Sequence, residues 1–193
     1  LTAEKMAKEN PIKRIGTLKI ESTIKQAYTS RDLEAMRLSC TRTRDRALIE
    51  FLLSTGLRVS ELCSLNVGDI DLYKQEFKVM GKGRKERKLY VTDSACFHLF
   101  RYLQERMKKE GLTLEQLSEK PLFVATKKPY NRMTPAGVQY LLKQIGRAAG
   151  VGNVHPHRFR RTFATDLLAR GMRIEEVMVL MGHTKMETTL LYC

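Results

Sequence analysis

The stretch EFKVMGKGRKERKLYV, residues 76–91, alternates apolar and polar residues on both sides of a glycine-rich turn. Alternation with a period of two is typical of a strand with one buried face, and Gly81 and Gly83 suit a tight turn. The stretch therefore predicts a β-hairpin with strands at 76–80 and 87–91. A third apolar run, Leu122 to Val124, is expected to add an edge strand to the same antiparallel sheet.

Upstream of the hairpin, the apolar residues recur with the spacing of helices. Thr29 or Ser30 is placed to cap a first helix, and a second helix is predicted to end at Gly56, before a short helical stretch through Leu62. Residues 1–26 carry scattered apolar residues broken by proline and glycine. They are expected to form an extended interdomain linker.

Between the hairpin and Gly182, four more helices are expected. One runs from Thr134 to Gly150, and two others follow His157 and Arg173. Asp93 is expected to cap the first of the four, whose core stripe would contain Phe97, Phe100, Leu103 and Met107. The predicted fold is mainly α with a small antiparallel β-sheet (α+β), in one domain over residues 27–193.

The composition favours a polyanionic partner. Thirty-five Lys and Arg against 21 Asp and Glu give a formal net charge of +14, although a basic surface can also serve solubility. No apolar run approaches the roughly 18 residues of a membrane span. The four cysteines, Cys40, Cys63, Cys96 and Cys193, are far apart and form no C-x-x-C pair, so we expect reduced thiols and no metal site. The sequence shows no signal-like leader, so a cytoplasmic location is expected.

Two segments place charged side chains at turns. In TGLRVSEL, residues 55–62, a glycine ends one helix and Arg58 stands at the start of the next, three residues before Glu61. A solvated Arg–Glu pair is the alternative interpretation. The hairpin turn supplies cations that we expect to contact DNA, namely Lys82, Arg84, Lys85 and Arg87, and a solvated turn is the alternative interpretation.

A third segment is PHRFRRTF, residues 156–163. On a helix His157 and Arg160 share a face, while Phe159 turns towards the core. Arg158 and Arg161 add two further cations for DNA, and nonspecific basic decoration is the alternative.

The fourth segment is LMGHTKMETTLLY, residues 180–192, in which Gly182 stops one helix and Thr184 begins another. His183 therefore lies in a break. On one straight helix His183 and Tyr192 would point to opposite sides, so only a bend at this break lets both face one phosphate. Taken alone, Tyr192 would be interpreted as a core or interface tyrosine.

The four segments in this order resemble the active-site signature of the tyrosine recombinases, the family of phage and transposon integrases and Xer-type chromosome resolvases. The match spans Arg58 to Tyr192. Arg161 stands where the family often has a second histidine, and Met181 where it has leucine. Family members usually carry a core-binding domain before the catalytic domain and a tail after the tyrosine, so this chain is expected to be part of a longer protein.

The resemblance implies the catalytic-domain fold of the tyrosine recombinases and a transesterification that needs no metal or other cofactor. Tyr192 would attack a DNA phosphodiester and form a 3′-phosphotyrosyl link. The resemblance implies that Arg58 and Arg160 clamp the phosphate and that His183 donates a hydrogen bond to it. His157 would accept the proton of the tyrosine, and Lys82 would protonate the 5′ oxygen. Glu61 would orient Arg58.

The resemblance also implies partners. These are a double-stranded DNA recombination site, a homo-oligomer that is a tetramer on DNA, and accessory DNA-bending proteins. Integration or excision of a mobile element is the implied task. Two alternatives stay open: a type IB topoisomerase, which relaxes DNA without strand exchange, and a helical DNA-binding module without chemistry.

Overall fold

A computed structural model describes residues 26–80 and 86–183. Over these ranges the chain folds as helices around a small sheet, as predicted. The helices are α1 Ser30–Ser39, α2 Thr43–Thr55, α3 Val59–Ser64, α4 Asp93–Glu110, α5 Leu114–Ser118, α6 Pro135–Ala149, α7 Pro156–Ala169 and α8 Ile174–Met181. The strands are β1 Ile70–Asp71, β2 Glu76–Met80 and β3 Glu86–Tyr90. In the described ranges, no helix combines the length and apolar character needed to cross a membrane.

The hairpin prediction is confirmed. Strands β2 and β3 pair antiparallel, with Phe77 opposite Leu89 and Val79 opposite Arg87. These four residues form the buried face of the hairpin, and the residues between them are exposed. The burial pattern therefore places a charged residue, Arg87, on the inner face of the sheet.

The prediction for the third strand was wrong. The edge strand is β1, whose Ile70 pairs with Phe77, and not the run from Leu122 to Val124. That run is buried at every position, and the N–H of Leu122 donates to the carbonyl of Leu65 at 2.9 Å. A segment buried throughout lacks the two different faces of an edge strand, and here it packs as a core segment beside the chain that leads into β1.

Helix α4 also differs from the prediction at two points. Its N-cap is Thr92, whose hydroxyl accepts from the N–H of Ala95 at 3.4 Å, and not Asp93. Phe97 and Phe100 are 57% and 51% exposed. The helix has two faces with apolar residues, and packing against α2 buries only one of them. The buried residues of α4 are Ala95, Leu99, Tyr102, Leu103 and Arg106.

Helix α2 is the centre of the core. Its residues Leu48, Ile49, Phe51 and Leu52 are fully buried, and it packs against both α4 and α7. It ends at Gly56 as predicted, with φ 58 in the left-handed region. A Cβ on this glycine would lie 2.3 Å from Cδ1 of Phe163. The absence of a side chain therefore lets the end of α2 pack directly on α7.

The variant Gly56→Ala tests this close approach, with Gly111→Ala as the matched control. Gly111 also caps a helix, with φ 66, but a Cβ there would meet nothing within 4 Å. The left-handed backbone costs each alanine roughly 1–2 kcal/mol. Overpacking against Phe163 adds roughly 1–3 kcal/mol for Gly56→Ala alone. Urea unfolding of both variants measures the difference, and equal losses would show that the Phe163 ring moves aside freely.

Candidate active site

The turn after α8 is the centre of the candidate site. It begins at Gly182, with φ 61 in the left-handed region. Two backbone N–H groups of the turn donate back to the carbonyls of Met178 and Val179, at 3.1 and 3.0 Å. The next three carbonyls, those of residues 180–182, each accept a hydrogen bond from a different arginine. All five carbonyl groups at this helix end therefore have partners.

The three arginines come from distant parts of the chain. Arg87 donates through Nε to the carbonyl of residue 180 at 2.9 Å, and Arg160 donates through Nη2 to that of residue 181. Arg58 donates through Nη2 to the carbonyl of residue 182 at 3.1 Å. The C-terminal end of a helix carries partial negative charge, so guanidinium groups are stabilised there. One helix end thus gathers side chains from β3, α7 and the turn before α3.

Arg160 joins two helix ends. Its Nη1 donates to the carbonyl of Gly56 at 2.6 Å, while Nη2 reaches the carbonyl of Met181. The residue is 3% exposed. Since both carbonyls belong to tightly packed helix ends, the position of the Arg160 guanidinium is fixed by the core.

Glu61 contributes a carboxylate to this cluster. It accepts from the backbone N–H of Arg58 at 2.9 Å and from Nη1 of Arg58 at 3.0 Å. It also accepts two hydrogen bonds from Arg87, at 3.0 and 2.8 Å. Burial raises the pKa of Glu61, but the hydrogen bonds from Arg87 and Arg58 outweigh it and hold the pKa below its ordinary value. The side chain is only 10% exposed, which excludes a solvated surface pair.

His183 follows the turn and contacts Arg160, whose Nη2 lies 3.1 Å from its Nε2. A guanidinium can only donate, so Nε2 must be the acceptor and carries no proton in this arrangement. Burial, followed by the charges of Arg160, Arg58 and Arg87, lowers the pKa of His183 to about 4. The imidazole is therefore neutral at neutral pH.

Of the other residues predicted to be catalytic, His157 lies on α7, and Lys82 and Tyr192 lie outside the described residues. His157 is exposed in the first turn of α7, and its ring centroid lies 6.4 Å from that of His155. The structure thus brings Arg58, Glu61, Arg160 and His183 together and leaves His157 one helical turn before Arg160. Lys82, Arg84, Lys85 and Tyr192 fall outside the described residues.

Arg158 does not occupy the exposed position expected of a DNA contact. Its guanidinium donates to the carbonyls of Gln26, Ala27 and Gly152, and it lies 4.2 Å above the ring of Tyr28. It therefore anchors the segment that leads into α1. Arg161 is half-buried.

Arg87 requires the same correction, because it is 8% exposed and its guanidinium faces Glu61 and α8. Its place in the cluster was missed. The signal was present in the alternation of β3, which puts Arg87 on the same face as Leu89.

Comparison with known proteins assigns the family. The model of the phage integrase family matches residues 22–193. The chain belongs to this family of tyrosine recombinases. The positions predicted for the family's active-site signature, from Arg58 to Tyr192, all lie within the matched range.

Individual relatives agree with the family assignment. Tyrosine recombinase XerC of Bacillus licheniformis is 36% identical and covers 100% of this chain and 64% of its own length. XerC of Staphylococcus epidermidis is 34% identical, covering 93% of this chain and 60% of the relative. The chain thus spans less than two thirds of the length of these relatives.

Solved structures of the family share the fold. The crystal structure of XerA recombinase matches with a TM-score of 0.75 and 28% identity, over 86% of this chain and 59% of that one. The Tn1549 transposon integrase, in complex with a circular intermediate DNA, matches with a TM-score of 0.72 over 91% of this chain and 63% of that one. Its identity of 21% supports the fold alone.

The low pKa of His183 predicts a pH dependence of stability. Between its ordinary pKa of 6.5 and about 4, the unfolded chain binds a proton at His183 and the folded chain does not. Stability should therefore fall as the pH drops through this window, and this contribution should be constant above it. The variant His183→Asn should lose less stability between pH 7 and pH 4.5 than the wild type, as measured by urea unfolding. An imidazole proton resonance of His183 that titrates near pH 6.5 would contradict the assignment.

Proposed function

We propose that the protein is a site-specific DNA recombinase that cleaves and rejoins DNA strands through a 3′-phosphotyrosyl intermediate, to integrate or excise a mobile element. One observation carries the proposal. Arg58 and Arg160 are far apart in sequence, yet both donate to the helix end that leads into His183, and Arg160 also contacts the His183 ring. The net charge of +14 suits double-stranded DNA as the substrate.

Arg58 has the exposure and the donors that a phosphate clamp needs. Its side chain is 34% exposed, and its hydrogen bonds to Glu61 and to the carbonyl of Gly182 engage Nη1 and Nη2. A guanidinium has five N–H groups, so donors remain for a phosphoryl oxygen. The planar fork suits phosphate, and donors that are already oriented stabilise the charge that grows on the oxygens during attack.

His183 requires a change of protonation to donate to phosphate through Nε2. In the free protein this nitrogen accepts from Arg160. A bound phosphodiester brings a negative charge that offsets the nearby arginines and raises the pKa of His183. DNA binding would thus convert His183 from an acceptor for Arg160 into a donor to the scissile phosphate.

The remaining residues complete the chemical step. A phenol with a pKa of about 10 is a weak nucleophile at neutral pH, so the Tyr192 hydroxyl needs a base, and His157 takes its proton. As the bond between the tyrosine oxygen and phosphorus forms, the bond to the 5′ oxygen breaks, and Lys82 gives that oxygen a proton. A 5′ hydroxyl of another strand can then attack the 3′-phosphotyrosine and complete strand exchange without a cofactor.

The proposed assembly is a homo-oligomer, a tetramer that holds two duplexes, with accessory DNA-bending proteins. Strand exchange between two duplexes requires several copies of the site. The DNA partner is supported by proteins of the same fold that were solved on DNA, including the Tn1549 integrase with a circular intermediate and the XerH recombinase bound to its difH substrate.

The first experiment traps the covalent intermediate. A binding sequence is selected from a pool of randomised duplexes with the full-length protein, and a nick is placed so that the 5′ fragment diffuses away after cleavage. A protein–DNA adduct that survives denaturation should accumulate with the wild type. Tyr192→Phe should abolish it, because the nucleophilic oxygen is missing. Tyr140→Phe, at a 66% exposed tyrosine of α6, is the matched control and should form the adduct normally.

The same assay separates the alternatives. An adduct that persists in Tyr192→Phe would exclude this nucleophile. Relaxation of supercoiled DNA without exchange between two duplexes would indicate a topoisomerase, and salt-sensitive binding without any adduct would indicate a non-catalytic binding module.

The second experiment tests Lys82 as the general acid. Lys82→Ala should cleave an ordinary nicked substrate slowly, by a factor of about 100–10,000 for a general acid. A substrate with sulfur in place of the 5′ oxygen needs no proton on its leaving group, so it should restore cleavage by this variant. Lys74→Ala, at an exposed lysine paired with Asp71, should cleave both substrates like the wild type. If the sulfur substrate does not restore cleavage by Lys82→Ala, Lys82 is not the group that donates a proton to the 5′ oxygen.

A further inference from the structure

Arg87 is a buried arginine in a strand that carries exposed charges on its other face. Its side chain is 7% exposed, and it lies between Leu89 and the hairpin turn on the inner face of β3. Burying a guanidinium is unfavourable unless its N–H groups are satisfied. Its position therefore has to be explained by what its N–H groups contact.

The contacts of Arg87 use all three nitrogen atoms of the guanidinium. Nε donates to the carbonyl of Leu180, and Nη1 and Nη2 donate to the two oxygens of Glu61, at 3.0 and 2.8 Å. A paired contact of this kind fixes both the position and the plane of the guanidinium. A lysine in its place could not make the three contacts together, because it ends in a single nitrogen.

The turn at Gly182 packs directly on this guanidinium. A Cβ built on Gly182 would lie 3.1 Å from Nη1 and 3.2 Å from Cζ of Arg87. Arg87 therefore serves as the surface on which the turn rests, besides holding the carbonyl of Leu180. His183 directly follows Gly182, so Arg87 supports the backbone that leads into His183.

Glu61 extends the influence of Arg87 to Arg58. The oxygen Oε1 accepts from Nη1 of both arginines, at 3.0 Å each. Oε2 accepts from Arg87 and from the backbone N–H of Arg58. Without Arg87, this carboxylate would lose two of its four hydrogen bonds and its orientation towards Arg58 would no longer be fixed.

We propose that Arg87 is a positioning residue of the recombination site: it fixes the turn that carries His183 and, through Glu61, the guanidinium of Arg58, and it does not contact DNA. This inference rests on the proposed function. It assigns to β3 a supporting role that is separate from the cations of the hairpin turn.

The test uses Arg87→Lys in the full-length protein, on the nicked substrate described above. The rate of adduct formation at saturating protein should fall about 100-fold, as expected when reacting groups are displaced by about 1 Å. DNA affinity and its salt dependence should stay at the wild-type values. If Arg87 instead contacted a phosphate, binding would weaken and the salt slope would fall by about 1.

The matched control is Arg106→Lys. Arg106 is also buried, at 5% exposure, and it also donates to a glutamate, Glu110, and to backbone carbonyls. It lies on α4, away from the cluster. Arg106→Lys should lose comparable stability and keep the wild-type cleavage rate, which separates positioning from a general loss of stability. Should Arg87→Lys fail to fold, the double variant Glu61→Gln, Arg87→Gln removes both buried charges together and should show the same loss of cleavage with intact binding.

A second measurement needs no cleavage at all. Hydrogen exchange at the backbone amides of Gly182 and His183, measured without DNA, should be faster in Arg87→Lys than in the wild type and in Arg106→Lys. If the wild type forms the adduct and Arg87→Lys forms it at the same rate, the proposal is overturned. Unchanged hydrogen exchange at Gly182 and His183 in Arg87→Lys would also overturn it. A wild type that forms no adduct would refute the proposed function, and the exchange rates would then still decide whether Arg87 holds the turn.

Discussion

The organisation of the site depends on how the C-terminal end of α8 satisfies its carbonyl groups. Two of the five are bonded by backbone N–H groups of the turn, and three need donors from elsewhere. Arginine suits this task because it supplies several N–H groups and a positive charge that the helix end stabilises. The same hydrogen bonds that complete the helix end also bring Arg58 and Arg160 to the turn that carries His183.

The rigidity of this arrangement comes from α2. Its fully buried apolar residues fix the helix in the core, and Gly56 lets its end approach α7 closely. Arg160 then bonds to the carbonyl of Gly56 as well as to that of Met181. A guanidinium bonded to two packed helix ends has little freedom left to lose, so under the proposed function Arg160 would be preorganised for a phosphate.

The sequence predicted much of this because the signals are local. Caps such as Thr134, the helix stops at Gly56 and Gly182, and the alternation of the hairpin each depend on a few neighbouring residues. What failed depended on tertiary packing: α4 has two apolar stripes, and only contact with α2 decides which is buried. Arg87 and Arg158 were assigned to DNA because charge alone does not show whether a guanidinium faces solvent or backbone carbonyls. The motif also could not reveal the protonation of His183, which depends first on its burial and then on the charges of three arginines from distant parts of the fold.

Among the described residues, Glu61 is the carboxylate that accepts from these arginines, and the charge balance gives a reason for its position. A second acid near Arg58 and Arg160 would compete with phosphate for the same donors. Without any carboxylate, three guanidinium groups close together would repel one another and resist burial. Glu61 is placed on the side of Arg58 and Arg87, while Arg160 is held by carbonyl dipoles and His183. Dipoles hold a guanidinium without cancelling its charge, so the cluster can be stable in the free protein and still attract an anion.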